Sequence, residues 1–225
     1  MSAGTSIPLS AAPSALARQA ATRDAESGTA LALTRIFDPE IQLAQWHRPI
    51  DAVIAGWLEA NAGDLGSGFR QTLAPGDTPD LGGLPAGPGR EALAADLAML
   101  AEMLGELLDA PSIGLRMEIV HRAMCPRLHV DRVGIRMLCT YRGPGTEWVE
   151  DASADRRFLG AASGGLPDET SGLLLPGYRI ETVPPFAVAL LKGSLWQGNG
   201  GRGIIHRSPA VPRPPRVLVA LDAGW

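Results

Sequence analysis

The hydrophobic period of this chain changes at Pro111. Before the proline, leucines recur every three or four residues, which is the spacing of one helix face. These leucines are Leu93, Leu97, Leu100, Leu104, Leu107 and Leu108. After the proline, apolar and polar residues alternate over 115–120, as they do in a half-buried strand. The chain therefore predicts a long helix at about 90–109 and a β-rich region after it.

Two shorter helices are predicted upstream of the long one. Asp38-Pro39-Glu40 combines an N-cap residue, a proline at the first helical position and an acid in the first turn. We therefore expect a helix from there to about Arg48. Asp51 precedes an apolar stripe at helical spacing that ends before Gly63, which indicates a second helix. Residues 76–89 are dense in Gly, Pro and Asp and predict an exposed loop.

The C-terminal half carries the signals of several short strands. Besides 115–120, strands are expected over 134–141, 187–191, 203–206 and 216–221, with glycine and proline in the gaps. Helices followed by short strands predict an α+β protein whose C-terminal half is a sheet sandwich or barrel. We expect one domain over 30–225, with a helical part at 30–110 and a β-rich part at 111–225. A mobile leader at 1–29 is expected to precede it.

Composition and charge exclude several classes of partner. With 20 basic and 24 acidic residues, the chain has a formal net charge of -4 and no broad basic surface for nucleic acid. No stretch reaches the roughly 18 apolar residues of a membrane helix, so we expect no membrane partner either. The N-terminus lacks the pattern of a secretory signal. Cys125 and Cys139 are therefore predicted to be reduced thiols in a cytoplasmic protein.

Three residues form a candidate metal site. His129-Val130-Asp131 places an imidazole and a carboxylate two residues apart, and such residues point to the same side of an extended backbone. His206, at the end of the apolar run 203–206, is a candidate third ligand. Two histidines and one carboxylate occupy one face of an octahedral ferrous ion and leave three positions open. The alternative is that His129 and Asp131 form an ordinary hydrogen-bonded pair in a turn.

A candidate binding residue for a cosubstrate follows ten residues after His206. The three open positions suit dioxygen and a chelating cosubstrate such as 2-oxoglutarate, whose far carboxylate needs a cation. Arg216 stands at the start of the next apolar strand, and a guanidinium holds a carboxylate through two hydrogen bonds. Arg213 is the competing choice.

Two further groups of residues have both a functional and a structural interpretation. In the segment 141–148, a Gly-Pro-Gly turn is flanked by Tyr141, Glu147 and Trp148, which either face a substrate or pack in the core beside a hairpin. Cys125 and Cys139, together with His121, His129 and Asp131, are a weaker candidate set for a zinc site. Without a C-x-x-C spacing, two small buried side chains are the favoured interpretation of the cysteines.

These segments also resemble a known family. The sequence is similar to bacterial proteins that share the DUF1826 domain of unknown function, from about Ile36 onward. The resemblance is carried by Cys125-Pro126, His129-Val130-Asp131, the string Leu138 to Trp148, Lys192-Gly193, His206-Arg207-Ser208-Pro209 and Arg216 to Asp222. The pattern also resembles the wider Fe(II)/2-oxoglutarate oxygenase superfamily.

The likeness to the oxygenase superfamily implies a specific fold and activity. It implies a cupin-like jelly roll, the double-stranded β-helix, on which the N-terminal helices pack. It assigns iron ligation to His129, Asp131 and His206 and cosubstrate binding to Arg216 in a dioxygenase whose substrate is unknown. Members of the DUF1826 family are often encoded near zinc-homeostasis proteins, which implies a second hypothesis: a non-catalytic protein that binds Zn(II). A third hypothesis is an interaction domain with an empty site.

Overall fold

The computed structural model describes residues 28–224, so the expected leader lies almost wholly outside the described residues. The described chain begins with a 3-10 helix, Ala30–Phe37. Helices α1, Ala52–Ala60, and α2, Pro88–Leu108, confirm two of the three predicted helices. The Asp51 carboxylate accepts hydrogen bonds from the backbone N–H groups of Val53 and Ile54 at 2.8 and 3.0 Å, as an N-cap residue does.

The described residues contain nine strands. They are β1 Leu43–Trp46, β2 Gly68–Leu73, β3 Ser112–Val120, β4 Ile135–Arg142, β5 Glu147–Val149, β6 Glu181–Thr182, β7 Val188–Lys192, β8 Ile205–Arg207 and β9 Arg216–Gly224. Six strands form one sheet in the order β1-β7-β4-β9-β3-β2, and three form a second sheet in the order β6-β5-β8. Neighbouring strands are antiparallel in both sheets. Each of the five strands predicted after Pro111 is present with shifted ends.

The helix predicted from Asp38 to Arg48 is wrong. Residues 43–46 form β1, which pairs with β7 and places Leu43 opposite Leu191. The capping signal produces only a turn, in which the Ile41 N–H donates to the carbonyl of Asp38. Pairing with β7, about 145 residues away along the chain, outweighs the local preference for helix.

Residues 30–110, expected to be helical, also contain strands. Strands β1 and β2 both come from this part of the chain and form the two edges of the six-stranded sheet. Residues 30–110 therefore contribute strands as well as helices to one continuous sheet with the C-terminal half. The structure is a mixed α/β protein with mainly antiparallel sheets and few helices.

The two faces of the six-stranded sheet pack against different partners. One face shares a hydrophobic cluster with the leucines of α2 and includes Met137, Cys139 and Val219. The other face contributes Leu138 and Ala220 to a second cluster, which also contains residues of the three-stranded sheet and the segment before β8. Because side chains alternate along a strand, the even-numbered residues of β4 and β9 face the space between the sheets. We call this region the intersheet space; the candidate site lies there.

Among residues 28–224, no helix is both long and apolar enough to cross a lipid bilayer.

Candidate metal centre

His129, Asp131 and His206 come together in the folded chain. One potential ligand atom of each lies within 4.8 Å of those of the other two. The Nε2 atom of His129 is 3.4 Å from Oδ1 of Asp131, and Nε2 of His206 is 3.6 Å from Oδ2. This is the only group of three or more potential metal-ligating residues found among residues 28–224.

Backbone pairing brings the two histidines into contact. His129 and His206 form an isolated antiparallel bridge, in which each backbone N–H donates to the other's carbonyl at 2.9 Å. Their ring centroids are 4.6 Å apart. His206 lies on β8, where it is buried, whereas the side chain of His129 is 32% exposed. The site is therefore open to solvent on the His129 side and closed on the His206 side.

Hydrogen bonds at the far nitrogen of each ring orient both imidazoles. Nδ1 of His129 lies 2.9 Å from the carbonyl oxygen of Arg127, and Nδ1 of His206 lies 3.2 Å from that of Ile204. A carbonyl oxygen accepts only, so each Nδ1 carries the proton and donates it. In the neutral form of each ring this leaves a lone pair on Nε2 for a metal ion, whereas the protonated form of His129 donates from Nε2 to Asp131.

The charges of the three residues suit a divalent cation. Burial lowers the pKa of His206, and the nearby Asp131 carboxylate only partly opposes this effect. For Asp131, burial acts to raise the pKa, but the hydrogen bond from His129 and the charges of His206 and Arg136 hold it well below its usual range. The hydrogen bond to Asp131 raises the pKa of His129. Asp131 is thus ionised and His206 neutral at pH 7, as metal ligation requires, whereas the raised pKa of His129 means that this ring must release a proton when it binds a metal.

Arg216 is a buried cation that has no carboxylate partner among the described residues. It is 1% exposed and points into the intersheet space from the first position of β9. Its Nε donates to the carbonyl of Pro144 at 2.7 Å, and its Nη2 to the hydroxyls of Thr140 and Thr146 at 3.1 Å each. No acid among residues 28–224 forms an ion pair with it. Burial lowers its pKa to about 10, and a bound anion would remove this electrostatic penalty.

Of the three residues expected to face a substrate, one lies beside the metal candidates. Trp148 on β5 is directly opposite His206 on β8, and directly opposed residues share a sheet face. Its indole Nε1 is buried without a hydrogen-bond partner among the described residues. The same side chain lines a groove of about 480 Å³, together with Leu43 and Ile204.

The other two side chains point elsewhere. Tyr141 packs with the helix-facing cluster, and its hydroxyl donates to Asp96 at 2.5 Å. Glu147 forms an ion pair with Arg207 at 2.7 Å, on the face of β5 opposite to that of Trp148. The structure therefore does not bring Tyr141 or Glu147 to the metal candidates, because strand alternation turns both away from the intersheet space.

The cysteines do not join a metal site. Cys139 is buried in the helix-facing cluster, and Cys125 is exposed. The described residues contain no metal-ligating group that includes either of them or His121. Arg213, the alternative to Arg216, is exposed, with its carbonyl oxygen accepting a hydrogen bond from Arg142.

Sequence reasoning missed one residue of this site. Arg136 on β4 donates from Nη1 to Oδ2 of Asp131 at 2.7 Å, and its other nitrogens contact Asp222. The alternation of side chains along strands β4 and β9 assigns Arg136 and Asp222 each to one face of the sheet. The register between β4 and β9, which sets them opposite each other, has no local signal in the sequence.

The chain belongs to the family described as "Protein of unknown function (DUF1826)", which it matches over residues 27–222. No curated protein matches it by sequence. Its fold is similar to that of several solved oxygenase structures. One is a rice dioxygenase for auxin oxidation, with 15% identity, a TM-score of 0.45 and coverage of 91% of this chain and 76% of that one.

Two other similar structures come from different organisms. A Pseudomonas putida prolyl-4-hydroxylase has 11% identity and a TM-score of 0.43, with 87% of this chain and 98% of that chain covered. A dioxygenase for auxin oxidation from Arabidopsis thaliana, solved with 2-oxoglutarate, has 14% identity and a TM-score of 0.43, with 84% and 85% covered. Similarities of this size do not assign an activity, so the function is argued from the site itself.

Proposed function

We propose that this protein is an Fe(II)- and 2-oxoglutarate-dependent dioxygenase. The observation that carries the proposal is the combination of two features in the intersheet space. A cluster of two histidines and one carboxylate includes the middle residue of β8, and a buried arginine with no carboxylate partner among residues 28–224 lies at the start of β9. The proposal also includes the fold: the two sheets would form a double-stranded β-helix, and the helices would pack outside it.

The three clustered residues would hold the metal. Their Nε2, Nε2 and carboxylate oxygen donors form the ligand set that ferrous ions take in oxygenases, with three positions left open. When bound, the metal and cosubstrate together supply an oxidant derived from dioxygen. The carbonyls of Arg127 and Ile204 keep both imidazoles oriented, so that Nε2 is the nitrogen that each neutral ring presents to the metal.

Arg216 would bind the far carboxylate of 2-oxoglutarate. Within residues 28–224 its guanidinium is held by neutral oxygen atoms only, so its charge is available to pair with an incoming anion. The hydroxyls of Thr140 and Thr146, which already contact Nη2, are well placed to donate to the same carboxylate. Burial strengthens this ion pair, because little water competes inside the intersheet space.

Trp148 is proposed to stand between the metal and the substrate. It is the direct cross-strand neighbour of His206, it lines the groove, and its buried indole N–H has no hydrogen-bond partner among the described residues. A substrate that enters the groove would meet the indole before the metal. The ring also excludes water from that side of the site. A cytoplasmic location stays a prediction, and no substrate is assigned.

Anaerobic titration of the purified protein with Fe(II) and 2-oxoglutarate tests the proposal. We expect a weak visible charge-transfer band only when both are present. Arg216→Gln should weaken 2-oxoglutarate binding at least tenfold while metal binding stays within about threefold of wild type. Arg213→Gln is the matched control and should change neither. A wild-type protein that binds Fe(II) but shows no affinity for 2-oxoglutarate would exclude the dioxygenase.

A non-catalytic zinc protein is the second candidate. The same nitrogen and oxygen donors bind Zn(II), and His129 is exposed enough to exchange a metal with a partner. This candidate predicts tight zinc binding that Arg216→Gln leaves unchanged and no effect of 2-oxoglutarate. Cys125, named above in the weaker zinc set, is not among the ligands of this candidate, because no metal-ligating group among the described residues contains that cysteine.

A further inference from the structure

Arg136 links the candidate metal ligand Asp131 to the last strand. Arg136 on β4 lies directly opposite Asp222 on β9, and both side chains share the face toward the intersheet space. Its Nε and Nη2 donate to Oδ1 and Oδ2 of Asp222 at 2.7 and 2.9 Å, which is a two-point contact that fixes the plane of the guanidinium. Its remaining nitrogen, Nη1, reaches Asp131.

The Nη1 contact distinguishes the two oxygens of Asp131. Nη1 lies 2.7 Å from Oδ2, whereas Oδ1 faces the Nε2 atom of His129 at 3.4 Å and accepts nothing from Arg136. The side chains of Arg136 and Asp131 are each only 17% exposed, so water does not readily replace this bond. Oδ2 also lies 3.6 Å from Nε2 of His206, but the Arg136 donor occupies one of its lone pairs, so Oδ1 is the oxygen more available to a metal.

We propose that Arg136, held by Asp222, is a positioning residue that restricts Asp131 to a single metal-binding oxygen. This inference rests on the proposed function. A carboxylate binds metals through one oxygen or two, and two-oxygen binding would fill one of the three positions that the site must leave open. A chelating cosubstrate needs two of those positions and dioxygen the third. Arg136 therefore protects cosubstrate binding without contacting the cosubstrate.

Arg136→Gln tests the inference in the full-length protein, with Co(II) and 2-oxoglutarate as probes. Removal of a positive charge beside the metal predicts Co(II) affinity equal to wild type or tighter. Affinity of the Co(II)-loaded protein for 2-oxoglutarate should fall at least tenfold. The visible spectrum of Co(II) without 2-oxoglutarate should also change, because one more carboxylate oxygen coordinates the ion. Arg136→Lys, which can still donate to Oδ2, should restore part of the lost affinity.

Two further variants separate positioning from general damage. Asp222→Asn weakens the two hydrogen bonds that orient Arg136 and should cause the same changes to a smaller extent. It replaces Arg136→Gln as the test if that variant does not fold. Arg116→Gln is the matched control: Arg116 is a half-buried arginine on the same sheet face, paired with Glu118 at 3.5 Å and with no candidate ligand. It should alter neither the spectrum nor either affinity.

The outcomes distinguish this inference from the proposed function. If wild type binds Co(II) and 2-oxoglutarate and Arg136→Gln binds both equally well with an unchanged spectrum, the positioning role is wrong and the proposed function stands. If Arg136→Gln loses Co(II) and 2-oxoglutarate binding together, Arg136 supports the fold of the site and the inference is also wrong. If wild type binds neither, both ideas are overturned.

Discussion

Three buried or half-buried arginines of this protein differ in the groups that accept their hydrogen bonds. Arg48 forms a two-point ion pair with Asp96 at 2.5 and 2.7 Å and also donates to the carbonyl of Phe186. Arg136 forms ion pairs with two acids, Asp131 and Asp222. Arg216, the most deeply buried of the three, has neutral acceptors only in the part of the chain that the structure describes. An unpaired buried charge reduces stability and is retained where it serves a function, so the exception points to Arg216 as a ligand-binding residue.

This contrast predicts a large loss of stability in one variant and little change in the other. Asp96→Ala should lower the free energy of unfolding by about 3–5 kcal/mol, because it leaves the Arg48 guanidinium buried and unpaired. Arg216→Gln should change it by less than about 1 kcal/mol, because the lost hydrogen bonds are offset by removal of an unpaired charge. Urea denaturation of the two variants without ligands measures both. A loss of several kcal/mol in Arg216→Gln would contradict the interpretation of Arg216.

The two cysteines should differ in reactivity. Burial raises the pKa of Cys139 to about 11, although Arg48 partly opposes this effect. We expect iodoacetamide at pH 8 to label Cys125 in the folded protein and to spare Cys139, since the thiolate is the nucleophile. Mass spectrometry of peptides from native and denatured samples gives the result. Rapid labelling of Cys139 in the native protein would show that the helix-facing core is open.

The same thiol makes stability depend on pH in the alkaline range. Its pKa is raised in the folded state from the ordinary value of 9.0, so folding favours the protonated form. Below about pH 9 both states keep the proton and the stabilisation is complete; as pH rises toward 11 the unfolded state alone loses the proton and stability falls. Between pH 8 and pH 10, wild type should lose more stability than Cys139→Ala, measured by urea denaturation.

At the scale of elements, the connection between β4 and β5 carries the chain from one sheet to the other. Its carbonyl at Pro144 and hydroxyl at Thr146 both hold Arg216. Gly145 packs so closely that an added Cβ would lie 1.6 Å from the carbonyl oxygen of Val183. This backbone contact requires glycine and couples the sheet crossing to the position of Arg216.

Gly145→Ala should therefore damage both fold and site. We expect a loss of about 2–3 kcal/mol in the free energy of unfolding, since the obstacle is backbone and cannot rotate away. Weaker 2-oxoglutarate binding should accompany it. Gly63→Ala, at a position where an added Cβ meets nothing within 4 Å, should change stability by less than about 0.5 kcal/mol. Equal stability of the two variants in thermal or urea denaturation would refute the prediction.

At the scale of the whole molecule, the site joins segments that are far apart in the chain. His129 precedes β4, His206 lies on β8, and the isolated bridge between them connects the first segment to the three-stranded sheet. A bound metal would add a second link across the same junction. Binding to the folded state alone would thus stabilise the protein as a unit.

Metal binding should raise the melting temperature. A metal at 100 times its dissociation constant adds about 2.7 kcal/mol to the free energy of unfolding. For a chain of this size we expect a rise of roughly 5–10 °C, reversed by a chelator, because 1 kcal/mol corresponds to about 2–4 °C. His206→Ala should remove the rise. Differential scanning fluorimetry with Fe(II), Zn(II) and Co(II) provides the measurement, and a rise that persists in His206→Ala would place the metal elsewhere.

Short-range sequence patterns were sufficient to predict the helices and strands whose formation depends on neighbouring residues. The leucine period specified α2, the cap at Asp51 specified α1, and alternation and short apolar runs specified five of the seven described strands after Pro111, with β5 and β6 missed. The residue types of the candidate site, an imidazole and a carboxylate two positions apart with a distant histidine and arginine, were also readable. Helical period, capping and strand alternation act between residues close in sequence, so they survive in the sequence alone.

Only the tertiary structure decided which distant segments meet. It turned residues 43–46 into an edge strand, set His206 against His129, directed Tyr141 toward the helices, and placed Arg136 between Asp131 and Asp222. Each of these depends on the register of strands that pair across long stretches of chain. Register is set by the packing of whole faces rather than by the residues of one strand, so no local pattern contains it.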